Sequence, residues 1–215
     1  VHNIKINYLI QTLQDQDVEV YPQFDFHVSP SILDEKGKTL LKEIYSELGG
    51  NNGLIILPRI RADFKIGNTL FFYDNENHFN RYRLKTLKTE LYELFAFNWK
   101  DSYLRLCRTY EKDCLQSGMQ DRIWNGPPVA KTHFGKAELP GELTGNGSCG
   151  WKLNAYNDAQ IDLFSRLYGY RLVRIAKYEN IMLGGGLKAV DQLIHSPDPQ
   201  VKTGLCKWIQ RKAEL

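Results

Sequence analysis

No apolar run in the 215-residue chain approaches the ~18 residues that a bilayer-spanning helix needs, so the sequence predicts a soluble globular protein. The opening stretch VHNIKINYLIQTL has neither the basic region nor the continuous apolar core of a secretory signal, and an intracellular location is the expectation. Cysteine is scarce. The four, at 107, 114, 149 and 206, show none of the close pairs of a structural zinc site, which leaves four reduced thiols, with Cys107 and Cys114 two helical turns apart and suited to a core. Charge of one sign is also lacking: a net +3 permits a polyanionic partner without requiring one. Gly184, Gly185 and Gly186 are not followed by the Lys and Ser/Thr of a phosphate loop, so they read as a turn.

What is present is enough chain for one α/β domain carrying an insertion. Residues 3–12 are apolar enough for a short helix or strand, and Pro22 keeps VEVYPQFDFHV out of the centre of a sheet. SPSILDEKGKTLLKEIYSELGG predicts a helix, with Leu40, Leu41, Ile44, Tyr45 and Leu48 at helical spacing and Gly49 and Gly50 as its stop. GLIILPRIRADF and TLFFYD predict two strands around a turn at Gly67 and Asn68. From Asn80 to about Cys114 the pattern is helical, in two stripes parted near Asn98. Residues 116–153, whose WNGPPVAKTHFGKAELPGELTGNGSCGW holds six glycines and three prolines, predict an irregular loop with His133 on its surface. Residues 80–153 are thus expected to form a helical and loop insertion. NDAQIDLFSRLYG then predicts a helix capped by Asp158 and stopped at Gly169, YRLVRIA a strand, and the remainder terminal helices.

The chemistry concentrates between Arg61 and Phe79. Asp63 ends one apolar run, and Asp74, Glu76 and His78 follow the next; if the strand extends that far, 74, 76 and 78 share a face. Carboxylates gathered in this way repel one another and cost desolvation, and a divalent cation is their usual compensation. The same residues also fit a solvated turn, with His78 on the surface. Arg81, Arg83, Lys85 and Lys88 come next, as phosphate contacts or as a solvated helix face partnered by Glu90 and Glu93.

The order of a helix, a strand with Asp63, a strand with Asp74, and later a helix and a strand with Arg174 resembles the PD-(D/E)XK nuclease superfamily, in particular its very-short-patch-repair-like endonucleases. The residues that carry the resemblance are Asp63-Phe64, then Asp74, Asn75, His78 and Phe79, and a closing unit of Asp158-Ala159, Asp162, Gly169, Tyr170, Arg171 and Arg174. The chain departs from the family at Phe72, where an acid is usual, and in the length of the insertion. The resemblance implies a restriction-endonuclease-like α/β core with a central mixed sheet flanked by helices. It implies a metal-dependent DNA endonuclease in which Asp63 and Asp74 or Glu76 hold Mg²⁺ or Mn²⁺ and His78 moves the proton. Glu43 or Glu47 would complete the metal shell, unless both are plain helix-face residues. DNA is the expected partner, met by Arg81, Arg83, Lys85 and Arg174, with a homodimer as one role for the insertion. A nucleic-acid-binding module that has lost the chemistry and a protein-interaction scaffold are the competing readings.

Overall fold

The strand TLFFYD is buried along its whole length, as the centre of a sheet requires. The computed structural model describes residues 2–214. Its strands are β1 (Tyr21–Pro22), β2 (Asp25–His27), β3 (Arg59–Arg61), β4 (Phe64–Ile66), β5 (Thr69–Asp74), β6 (Arg171–Ala176), β7 (Asn180–Leu183) and β8 (Gly186–Ala189). Its helices are α1 (His2–Gln14), α2 (Glu35–Glu47), α3 (Arg81–Thr86), α4 (Leu91–Leu94), α5 (Lys100–Thr109), α6 (Glu111–Gly118), α7 (Asp121–Trp124), α8 (Pro128–Phe134), α9 (Cys149–Leu167), α10 (Val190–Leu193) and α11 (Pro199–Glu214). The protein is therefore α/β, with a mixed four-stranded sheet, smaller ribbons and a helical middle segment. No described helix is long and apolar enough to cross a membrane.

The chain divides into two compact units: Val1–Phe26, Ile60–Asn75 and Tyr168–Leu215 make the first, and His27–Arg59 with Glu76–Leu167 the second. In the first, the sheet order is β1-β4-β5-β6, with β4 antiparallel and β6 parallel to β5. Period-two alternation sorts the side chains of β5. Phe71 and Tyr73 join Phe64, Ile175 and the apolar faces of α1 and α11 in one hydrophobic cluster, and Phe64 stacks on Phe71 at 4.7 Å. Leu70, Phe72 and Asp74 point to the opposite face. The glycine turn expected at 184–186 is real, but it closes a β-hairpin: Leu183 pairs with Gly186, and Gly184 and Gly185 take φ of 61° and 78°, the geometry of a two-residue hairpin turn. β7 and β8 stand where terminal helices were expected, because NIML and GLKA are too short to show alternation.

In the second unit, α9 is the axis against which α2, α3, α7 and α8 pack. It starts ahead of the expected place. Ser148 caps it, its Oγ accepting from Trp151 N–H at 3.0 Å, so Asp158 lies inside the helix and is not its N-cap. Gly150 in the first turn permits close backbone approach, since a Cβ there would stand 2.1 Å from the Ile123 carbonyl oxygen. The segment expected to be irregular thus contains α7, α8 and the start of α9, stapled by Trp124 against Trp151 at 5.2 Å. The expected stop holds: α9 ends at Leu167 and Gly169 has φ 77°. Conversely, residues 54–58 of GLIILP are outside any strand, and the helical run after Asn80 is broken into α3 to α6. All four cysteines are buried and none is in a disulfide.

The sequence places α2 correctly because its cap and its apolar stripe agree. Asp34 accepts from Gly37 N–H at 2.7 Å ahead of a helix that buries Leu40, Leu41, Ile44 and Tyr45. Asp34→Ala is expected to lower the unfolding free energy by about 1 kcal/mol, measured by urea titration, while Asp34→Asn stays near wild type. Equal loss in both would show that the cap is immaterial.

Candidate functional site

The strand β5 ends at Asp74, and Glu76–His78 forms a 3-10 turn. The shared strand face expected for residues 74, 76 and 78 is therefore absent, because the chain leaves the extended conformation at Asn75.

In the first unit, Asp63 lies just before β4. Its Oδ2 accepts from Tyr73 N–H at 2.7 Å, so the carboxylate stands in for a ladder carbonyl between β4 and β5. Asp74 is buried, and Arg174 Nη1 reaches both its oxygens, at 3.1 and 2.8 Å. The parallel register explains the pairing. Phe72 lies opposite Arg174 and Asp74 opposite Ala176, so Phe72, Asp74 and Arg174 share a face, and the guanidinium lies 5.5 Å from the Phe72 ring centroid. The Phe72 ring thus supports the cation that neutralises Asp74. Arg174, expected on a DNA-binding surface, is 1% exposed and belongs to the interior.

In the second unit, α9 presents Asp158 and Asp162 one turn apart on one face, both buried. His78 Nδ1 is 2.9 Å from Asp158 Oδ2. An ionised carboxylate can only accept, so the ring donates from Nδ1 and, when neutral, carries its lone pair on Nε2. Asp162 Oδ2 accepts from Arg83 Nη2 at 2.7 Å and from the Tyr92 hydroxyl, and Arg83 Nη1 donates to that hydroxyl at 2.7 Å. Arg83 Nε lies 3.9 Å from Asp158 Oδ2, and the Tyr92 and Trp99 rings flank the guanidinium at 5.5 and 5.6 Å. At 1% exposure Arg83 is a core cation, which corrects its expected place among the phosphate contacts. Asn80 brings it there, capping α3 by accepting from the N–H groups of Tyr82 and Arg83.

The remaining candidates separate. Arg81 is bound by Glu111 through Nε and Nη2, at 2.7 and 3.1 Å, a fork that raises its pKa. Lys85 is exposed. Glu76 is half-buried at the start of the 3-10 turn. Glu43 accepts from Glu90 N–H, and Glu47 is exposed on α2, so the early helix brings neither to the histidine–carboxylate group. His133, expected on a loop surface, is half-buried on α8, with Nδ1 2.9 Å from the Tyr45 hydroxyl.

Within the second unit, His78 and the buried Asp158 are an imidazole and a carboxylate, donors of the kind that could hold a metal ion. Sequence reasoning had Asp158 as a cap and so missed it as a partner of His78. The signal available was Asp158 and Asp162 at helical spacing on the same face as apolar residues, an unfavourable placement unless cations meet them inside.

A model of a family of unknown function, DUF7255, matches residues 43–196. The chain belongs to that family. The match takes in His78, Arg83, Asp158 and Asp162 as well as Asp63, Asp74 and Arg174. No curated protein and no solved structure matches the chain.

Proposed function

We propose that this DUF7255 protein is a divalent-metal-dependent endonuclease that hydrolyses phosphodiester bonds in DNA, of restriction or repair type. The observation that carries the reading is His78 held through Nδ1 by the buried Asp158 carboxylate. That hydrogen bond sets the tautomer and the ring plane and makes Nε2 the more basic, as in a histidine that accepts a proton or ligates a metal. Asp158 in the second unit and Asp74 in the first are each a hard oxygen donor of the kind that Mg²⁺ and Mn²⁺ prefer. A divalent cation bound by such donors polarises a phosphoryl oxygen and acidifies its water. His78 would take the proton from the attacking water, and the exposed Lys85 and Lys88 would meet the DNA backbone.

One observation favours a second reading, a DNA-binding module without cleavage. Arg174 already compensates Asp74 over the Phe72 ring, leaving less negative charge to attract a cation.

Supercoiled plasmid incubated with Mn²⁺ or Mg²⁺ separates the two. Cleavage predicts open-circular product that chelation abolishes, and Asp158→Asn slows its formation about 10- to 100-fold, the usual cost of losing the partner that orients a histidine. Salt-sensitive binding without nicking identifies the second reading. Neither nicking nor binding overturns both.

A further inference from the structure

The chain contains three Asn-Gly pairs, Asn52-Gly53, Asn125-Gly126 and Asn146-Gly147, all within the second unit. A glycine has no side chain to shield its nitrogen, so in each pair that nitrogen can reach the asparagine Cγ wherever the peptide is free to turn. The fold treats the three pairs differently.

Asn146 is locked. Its Nδ2 donates to the carbonyls of Phe134 and Lys136 at 2.9 and 2.7 Å, its Oδ1 accepts from Lys152 Nζ at 2.6 Å, and the Gly147 N–H donates to the Thr144 carbonyl at 3.2 Å. Asn125 is held through its backbone: its N–H donates to the Asp121 carbonyl at 2.9 Å and its own carbonyl accepts from Cys149 Sγ at 3.0 Å. Gly126 is wedged in place as well, since a Cβ on it would lie 2.8 Å from Gly150 Cα. Turning either peptide breaks hydrogen bonds or close packing.

Asn52 is different. It lies with Gly53 between α2 and β3, outside helix and strand, and both residues are exposed. Among the described residues its side chain bonds only Gly53, whose N–H donates to Asn52 Oδ1 at 2.9 Å. That contact holds the carboxamide against the nitrogen that would attack it. The surroundings are open, with nothing within 4 Å of a Cβ built on Gly53. The loop is anchored just ahead of this point, Asn51 N–H donating to the His133 carbonyl at 3.1 Å and Asn52 N–H to the Tyr45 hydroxyl at 3.2 Å.

We propose that Asn52 is a site of spontaneous deamidation, a modification that the fold permits here and blocks at Asn125 and Asn146. The Gly53 nitrogen, having given its proton to base, bonds to Asn52 Cγ; the Cγ–Nδ2 bond breaks and the nitrogen leaves as ammonia, protonated by solvent. Water then opens the resulting succinimide at either carbonyl, giving aspartate or isoaspartate. One water is taken up for one ammonia lost, with no oxidation or reduction. The product adds a negative charge to the loop that Tyr45 and His133 anchor. The chemistry is independent of the endonuclease reading.

The test is peptide mass spectrometry of the folded protein aged in mildly alkaline buffer, beside the same chain aged in guanidinium chloride. Trypsin releases the three pairs on separate peptides, residues 43–59, 123–131 and 137–152. In the folded protein the first should gain the mass difference between an amide and an acid, split between two chromatographic forms, while the other two stay unchanged. Fragment ions should place the change at Asn52 and not at Asn51. In guanidinium chloride all three pairs should convert at similar rates, because the fold no longer distinguishes them. Gly53→Ala, at a position with room for a methyl group and a φ outside the left-handed region, should slow conversion several-fold by hindering the nitrogen. An Asn52 that stays an amide in the folded protein while the unfolded chain converts overturns the proposal. So does folded-state conversion of Asn125 or Asn146 as fast as that of Asn52, or conversion of Asn52 at the same rate in Gly53→Ala.

Discussion

Replacing Arg83 by methionine is expected to lower the free energy of unfolding by about 3–5 kcal/mol, the loss typical of removing one partner from a buried ion pair. The methionine fills much of the volume between the Tyr92 and Trp99 rings, so the loss is electrostatic in origin and not a cavity. The variant strands Asp162, which is fully buried, and leaves Asp158 without the guanidinium 3.9 Å away. Asp162→Asn in the same background tests this directly. An amide matches the carboxylate in size and carries no charge, so the double variant should be more stable than Arg83→Met alone, by about 1–3 kcal/mol of coupling. Urea titrations of the wild type, both single variants and the double variant supply the four corners. Strict additivity would mean that Arg83 acts by packing, and that Asp162 is stabilised by Tyr92 and its other neighbours.

The same network shows where sequence reading succeeds and where it stops. The run TLFFYD and the Gly169 stop were legible because local pattern and tertiary placement agree: a continuous apolar run belongs at the centre of a sheet, and a glycine with positive φ ends a helix. Arg83 was not legible. It sits in a row with Arg81, Lys85 and Lys88, and nothing in that row distinguishes the one cation that turns inward. What decides is the face of α3 set by the Asn80 cap and the presence of Asp158 and Asp162 on α9, some 80 residues away along the chain. The segment from 116 to 153 was misread for a different reason. Its glycines and prolines act as helix starts, stops and close-packing points, as Pro128 at the head of α8 and Gly150 against Ile123 show, and a compositional reading cannot tell those uses from disorder. Of the candidate site, the partners of the singled-out residues were not legible. Asp63 turned out to hold the Tyr73 amide and Asp74 to face Arg174, and both pairings depend on strand register.

Register also makes Arg174 the second position with a large expected effect. Arg174→Met should cost about 3–5 kcal/mol, because Asp74 is buried and loses a cation that reaches both its oxygens. The methyl thioether can still rest on the Phe72 ring, so packing over that residue is largely kept. What changes is the charge: a buried carboxylate without its guanidinium must find another cation. Millimolar Mn²⁺ should therefore raise the melting temperature of Arg174→Met by several degrees, roughly what 1–2 kcal/mol yields in a chain of this size, and should lose that effect when Asp74→Asn is added. The competing outcome is equally readable. If Mn²⁺ stabilises the wild type as much as Arg174→Met, the arginine and the metal do not compete, and Asp74 can serve both. If it stabilises neither, Asp74 serves Arg174 and not a metal, and the metal-dependent reading loses that donor. Phe72 then acquires its meaning from the result: in the first case it supports a cation that tunes a metal site, and in the last it marks a fold in which an internal arginine has replaced the ion.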